Sequence, residues 1–422
     1  MRLRSAFRSP CVCLGIACAG LLARPGLSAE EAEWPEWRGP GRGGTAAGAS
    51  LPASLRPNLE LVWRKEVGEG YSGPVVSGGK LVVFSREGEE EVVRCLDAAD
   101  GRALWKDSYA APYKPASVAA RHGKGPFATP TIARGKVFTV GTSGILSAYD
   151  LESGKRLWRH DFRDRFRRTH PSWGASNSPL VEGSLVVVGI GAKEEGGLAA
   201  FDAETGKLVW LTDADGSAYS SPIAADLAGR RQIVALMEHG LLAVEPEGGK
   251  LLWKVPFEVQ YEQNIFTPIA RGDSVILGGW QQPLRAYRVF RKDGGFAVEE
   301  LWKSEREAFF MNTPVLAGDH LYGLADRGGG TLVCVSAEDG RTRWSSEGKL
   351  GEYASIASAG ERILVLTAKG ALILLARNPE RREELGRASL GEGAWWAHLA
   401  LAGGRIYARS KTALTAFRLP PD

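Results

Sequence analysis

Ala200-Phe201-Asp202-Ala203-Glu204-Thr205-Gly206-Lys207-Leu208-Val209-Trp210 carries an acid, a turn ending in Gly, and a Trp four residues after that Gly. The same ruler fits four other places. Asp97 leads through Gly101 to Trp105, and Asp150 through Gly154 to Trp158. Glu245 leads through Gly249 to Trp253, and Ser336 through Gly340 to Trp344. In all five the first position precedes the Trp by eight residues, so the chain is a repeat protein. The run before the acid, Leu198-Ala199-Ala200-Phe201, is short, apolar and strand-like. Asp-x-x-Thr-Gly is a tight turn: Gly supplies a positive φ, and Asp and Thr bond nearby backbone N–H groups. Lys-Leu-Val-Trp starts the return strand. Each unit is a β-hairpin that ends by laying an indole on a neighbour.

A second element lies upstream of each hairpin. Ser or Thr followed by Pro opens an apolar strand at Thr129, Ser178, Ser221, Thr267 and Thr313, with Gly73-Pro74 as a variant. Pro is tolerated there because the first residue of a strand loses no ladder donor. A Gly-containing turn and a second apolar strand follow, as in Ser77-Gly78-Gly79-Lys80-Leu81-Val82-Val83. Four strands per repeat of roughly 40–50 residues is the pattern of a propeller blade. Blades begin near Tyr71, Phe127, Asn177, Tyr219, Phe266, Asn312 and Tyr353. Residues 60–66 form a Trp strand with no hairpin of its own, and 396–419 hold three strands with no Trp strand. Together they make an eighth blade closed by the N-terminal strand, which removes free sheet edges. The expected fold is an all-β, eight-bladed propeller of four-stranded antiparallel blades. Two degenerate hairpins, 287–302 and 374–385, leave seven blades as the alternative.

The first 29 residues read as a secretory signal peptide: Arg2, Arg4 and Arg8, then an apolar run from Cys11 to Ala23, then Leu27-Ser28-Ala29. A lipoprotein reading would use Cys18. Residues 30–59 are an extension carrying Trp34-Pro35-Glu36-Trp37-Arg38-Gly39-Pro40-Gly41-Arg42, and 60–422 are the propeller. The extension reads as an ordered arm whose two Trp cover an exposed face of the first or last blade. A partner-docking arm is the alternative. The protein is expected to be exported across the inner membrane and periplasmic, free or associated with the outer membrane.

The chain has 53 Lys and Arg against 49 Asp and Glu, and four of those Arg fall in residues 1–29, where there is no acid. The remainder balances at 49 against 49, which gives no footprint for nucleic acid. Arg163 to His170 is basic, a solvated loop or an anion-binding one. Cys95 and Cys334 fill the same small slot of two distant repeats, so no disulfide is expected.

The Ala-x-Asp-x-x-Thr-Gly-x-x-x-Trp unit resembles the tryptophan-docking motif of the PQQ-like propellers. That family includes the pyrroloquinoline-quinone (PQQ) alcohol dehydrogenases and the assembly protein BamB. The resemblance covers about 60–420 and implies that Trp105, Trp158, Trp210, Trp253 and Trp344 dock between blades while Asp97, Asp150, Asp202 and the turn glycines hold their turns. It says little about chemistry. The dehydrogenases of the family hold PQQ on the axis with calcium, a catalytic Asp and usually an adjacent Cys-Cys disulfide. This sequence has no Cys-Cys, only five Asn, no Cys-x-x-Cys-His haem motif and no His spacing that suggests a metal. No catalytic residue, metal ligand or cofactor is therefore expected, and PQQ with calcium belongs only to the dehydrogenase alternative.

What remains is the propeller mouth, where the chain enters each inner strand. Aromatics and amides gather in those positions. His170, Trp173, Tyr219, Asn312 and Trp396 are the residues expected to bind a ligand or partner if they do not simply plug the funnel. The loop 107–126, with Tyr113, Arg121 and His122, is expected to rim the same face. The leading function is a non-enzymatic, monomeric scaffold or binding propeller with protein partners in the periplasm or at the outer membrane. A PQQ dehydrogenase and a carbohydrate-binding propeller are the alternatives.

Overall fold

The computed structural model describes residues 33–420 apart from 47, 194, 213 and 214. The signal-peptide reading and Cys18 fall outside the described residues. Among those residues no helix is long and apolar enough to cross a membrane.

The described strands form eight four-stranded antiparallel sheets. Blade 1 runs Val75–Ser77, Lys80–Glu87, Glu90–Asp97 and Ala103–Ala110. Blade 2 runs Thr131–Ala133, Lys136–Val140, Ile145–Asp150 and Arg156–Asp161. Blade 3 is Leu180–Glu182, Leu185–Ile190, Gly197–Asp202 and Leu208–Leu211, and blade 4 is Ile223–Leu227, Arg230–Leu236, Gly240–Val244 and Leu251–Pro256. Blade 5 is Ile269–Arg271, Ser274–Gly279, Gln282–Lys292 and Gly295–Ala308. Blade 6 is Val315–Ala317, His320–Ala325, Thr331–Ser336 and Thr342–Ser345, and blade 7 is Ala354–Ala359, Arg362–Thr367, Ala371–Ala376 and Glu384–Ser389. Blade 8 is Ala400–Ala402, Arg405–Arg409 and Ala413–Arg418, closed by Glu60–Glu66. In that closure Glu60 lies opposite Arg418 and Glu66 opposite Ala413.

The middle strands are apolar through their centres because each blade is covered on both faces by its neighbours. Leu81, Val82, Val83 and Phe84 are all fully buried. The outer strands are mostly exposed, and in Glu60–Glu66 the one fully buried residue is Trp63. The Trp positions join blade to blade. Trp63 Nε1 donates to Ala98 O, Trp105 to Leu151 O, Trp158 to Ala203 O and Trp210 to Pro246 O, at 2.8–3.2 Å. Gly101, Gly154, Gly206 and Gly249 lie directly beneath these four indoles, and a Cβ on any of them would come within 2.5–2.8 Å of a ring carbon. The acids hold the turns: Asp202 Oδ1 accepts from Thr205 N and Oγ1, and Asp150 Oδ1 from Ser153 N and Oγ. The degenerate hairpin of blade 5 removes the usual acceptor, so Trp253 Nε1 donates to Gln232 Oε1 instead, at 2.7 Å. Trp344 docks on the other degenerate hairpin, donating to Asn378 O. Cys95 and Cys334 are both free and buried.

The Ser and Thr of the Ser/Thr-Pro steps form hydrogen bonds between blades. Gly73 N donates to Thr129 Oγ1, Thr129 N to Ser178 Oγ, Ser178 N to Ser221 Oγ and Thr267 N to Thr313 Oγ1. Each hydroxyl thereby fills the donor need of the preceding blade where its inner strand begins.

The extension departs from the expected arrangement. Trp34 does pack on the first blade, exchanging backbone hydrogen bonds with Val76. Trp37 does not cover an outer face, however; it turns into the central channel and donates from Nε1 to Thr267 Oγ1 of blade 5. Arg38 donates to Thr313 O and Pro314 O of blade 6. Arg42 donates to Ser178 O and Pro179 O of blade 3 and Pro222 O of blade 4. Pro35 O accepts from Ile132 N of blade 2, Gly44 and Ala46 bond Ser358 of blade 7, and Trp34 and Trp37 sandwich His398 at the start of blade 8. The segment from Trp34 to Ala46 thus touches all eight blades from within. The inner strands end the ladder, so their inward carbonyls need donors from elsewhere. Two guanidinium forks supply them.

Candidate functional site

Because the extension fills the channel from one end, the other end is a blind funnel. Its outer part, about 170 Å³, is lined by Tyr71, His122, Phe127, Trp173, Tyr219, Tyr353 and Trp396, with Gln263, Ile265 and Met311. Its inner part, about 120 Å³, shares Phe127, Tyr219 and Tyr353 and descends to Ser221, Thr267, Asn312, Thr313 and His398. Trp37 borders both parts and Arg38 the inner one. The aromatics come from the residues that precede the inner strands of separate blades, so closure of the ring is what assembles them.

The rings support one another. Trp396 stacks on Tyr353 at 5.6 Å with an interplanar angle of 9°, meets His122 edge-on at 5.3 Å, and leans on Tyr71 at 6.1 Å. Tyr71 in turn stacks on Phe127. Trp173 meets Tyr219 edge-on, and its backbone N–H donates to the Tyr219 hydroxyl. Burial raises the Tyr219 and Tyr353 phenols well above the ordinary tyrosine range, so both stay protonated.

Arg38 is 2% exposed, and burial pulls its guanidinium down to about 10. Its hydrogen-bond partners are all carbonyls: Arg42 O, Gly43 O, Thr313 O and Pro314 O. His398 is 5% exposed, and burial together with the Arg38 charge pushes its imidazole down to about 3. It is neutral at pH 7, with Nδ1 2.9 Å from Leu399 O, where it acts as donor. Its Nε2 and the Gln263 Oε1 are buried without a hydrogen-bond partner among the described residues.

Of the expected site residues, Trp173, Tyr219 and Trp396 line the outer funnel and Asn312 the inner part. Asn312 is engaged with the fold: its amide donates to Leu324 O and accepts from Leu324 N. Asn177 does the same with Gly189, also twelve residues on. That shared spacing is a sequence signal for a structural amide. His170 is not in the funnel. It lines a neighbouring depression of about 230 Å³ with Arg167, Arg168, Lys193 and Glu262. There Arg167 is paired with Glu195 and Lys193 with Glu262. Within the loop 107–126, His122 reaches the rim, Arg121 sits against it, and Tyr113 lies deeper beside His170. Motif spacing does not reveal the parts supplied by residues far apart in sequence: Gln263, Met311, His398 and the Trp37–Arg38 floor.

A family model described as "Outer membrane protein assembly factor BamB" matches residues 89–346 and 296–418. The quinohemoprotein alcohol dehydrogenase ADH-IIG of Pseudomonas putida is 36% identical over 164 residues, 36% of this chain and 21% of that protein. The outer membrane protein assembly factor BamB of Shewanella oneidensis is 28% identical over 172 residues, 39% of each. The matched segment therefore spans well under two thirds of either relative. Among solved structures, BamB from Moraxella catarrhalis superposes with a TM-score of 0.62 at 17% identity, covering 86% of this chain and 99% of that one. At that identity the likeness is one of fold.

Proposed function

The chain belongs to the family described as outer membrane protein assembly factor BamB, and from that premise we propose that it is a non-enzymatic binding propeller, a scaffold for protein partners in the periplasm or at the outer membrane. The observation that carries the reading is the filled axis. The dehydrogenases of the wider family use the axis for PQQ and calcium, whereas here Trp37, Arg38 and Arg42 occupy it.

The remaining funnel also fits those groups poorly. Calcium takes six to eight oxygen ligands, mostly carboxylates and carbonyls. No Asp or Glu lines either part of the funnel. Among the described residues no cluster of three or more His, Cys, Asp or Glu could hold a metal ion. PQQ is an anionic quinone and would need free cationic donors, but the Arg38 guanidinium is taken up by carbonyls.

The test is titration of the purified protein with PQQ and Ca²⁺, followed by calorimetry and absorption, beside capture of partners from a periplasmic extract. The scaffold reading expects no PQQ binding and a reproducible protein partner. Stoichiometric PQQ binding with dye-linked alcohol oxidation would overturn it.

A further inference from the structure

We propose that the blind funnel receives the terminal ring of a neutral glycan. The inference rests on the reading of this chain as a binding propeller and names the ligand of its mouth.

Charge narrows the occupant first. The funnel has no carboxylate in its lining, and a buried guanidinium stands at its base. A cation could rest against the aromatic rings but would meet the Arg38 charge at the base with no carboxylate in the lining to pair with. An anion would meet a fork whose hydrogen bonds already go to four carbonyls. The occupant is neutral.

Hydrogen bonding narrows it further. Buried polar atoms normally have partners, and each exception calls for an explanation. Two exceptions belong to residues that line this space. Gln263 Oε1 lines the outer part and His398 Nε2 the inner part. The Gln263 carboxamide oxygen can only accept, so the occupant brings a donor. The rest of the wall is aromatic and aliphatic: Tyr71, Phe127, Tyr219, Tyr353, Trp396 and Met311. It suits a body with apolar faces.

Shape decides the orientation. The funnel is closed below by Trp37 and Arg38, so it admits the end of a chain and not its middle. A neutral ring with apolar C–H faces and hydroxyl donors along its edge, attached at one end, is a terminal pyranose.

The experiment is calorimetry and tryptophan fluorescence on the full protein with four uncharged probes: maltohexaose, cellohexaose, mannohexaose and chitohexaose. Tryptophan methyl ester serves as an aromatic, non-sugar probe. We expect one hexaose to bind one per chain. Gln263→Leu, which removes the acceptor and keeps a side chain of similar size, should weaken it about tenfold, or about 1.4 kcal/mol. Trp396→Ala should weaken it at least as much, with circular dichroism verifying the fold. No hexaose binding up to millimolar concentration, binding indifferent to both variants, or preference for the tryptophan ester would overturn the inference. The scaffold reading fails separately. A protein partner captured equally by wild type and Trp396→Ala, without sugar binding, sinks the glycan and leaves the scaffold. Sugar binding with no captured partner supports the glycan and sinks the scaffold.

Discussion

The Trp210 indole lies so close over Gly249 of the next blade that a Cβ on that glycine would sit 2.5 Å from a ring carbon. The indole is 7% exposed, and its Nε1–H reaches Pro246 O at 2.8 Å. Trp210→Ala should cost about 3–5 kcal/mol through the cavity it leaves. Gly249→Ala has the same contact from the other side, plus a φ of +66°, and overpacking of this kind costs about 1–3 kcal/mol. Gly229→Ala is the control: its φ is +73°, but nothing lies within 4 Å of the added methyl, leaving only left-handed strain of about 1 kcal/mol. Urea unfolding of the three variants checks the order. Equal losses at Gly249 and Gly229 would show that the indole does not press on its glycine.

The inter-blade hydroxyls give a second prediction. Ser178 is 1% exposed and accepts from Thr129 N at 2.9 Å. Ser178→Ala leaves that N–H buried and unpaired, which costs about 1–3 kcal/mol. Ser153→Ala, in an exposed turn, should cost less. The midpoints of denaturant unfolding compare the two, and a neutral Ser178→Ala would refute the role given to the hydroxyl.

Arg42 is the widest tie of the axial segment. It is 3% exposed, ion-paired to Glu36 at 2.8 Å, and bonded to carbonyls of blades 3 and 4. Arg42→Ala should destabilise the ring by about 3 kcal/mol or more, because it strands the Glu36 carboxylate and three carbonyls at once. Arg42→Lys should not rescue it, since an ammonium lacks the planar fork. Thermal unfolding of the two variants decides the matter, and full recovery with Lys would contradict the geometry.

His398 makes stability depend on pH. Its folded pKa, about 3, lies below the ordinary histidine value of 6.5. Between these values the unfolded chain binds the proton and the folded chain does not, so the stabilisation is complete above pH 6.5 and shrinks as the pH falls. The slope from this residue is about 1.4 kcal/mol per pH unit. Unfolding free energies between pH 4 and 7 should fall less steeply in His398→Gln than in wild type. Parallel curves would place a charged imidazole between Trp34 and Trp37.

The mouth was only partly legible in the sequence. Trp173, Tyr219 and Trp396 precede inner strands, and a repeat register is enough to send them to one face. His170 belongs to the same stretch as Trp173 yet turns into the adjoining basic depression, because its ring packs edge-on to Tyr113 at 5.3 Å. Asn312 lines the inner funnel while its amide is also held by Leu324. Its partner Leu324 lies on the neighbouring strand, a pairing that residue type alone does not reveal.

The sequence by itself determined the repeat: four-stranded blades, eight rather than seven as the leading count, Trp docking between blades, the acid-held turns and closure by residues 60–66. These follow from turn chemistry and strand periodicity within about a dozen consecutive residues, where spacing fixes geometry. Only the tertiary structure decided what stands on the axis. Trp37 meets Thr267 and Arg38 meets Thr313 across separations of 230 and 275 residues. Those contacts exist because eight inner strands converge on a channel narrow enough for one segment to bond them all. The channel's width is a property of the closed ring and of no single stretch of chain.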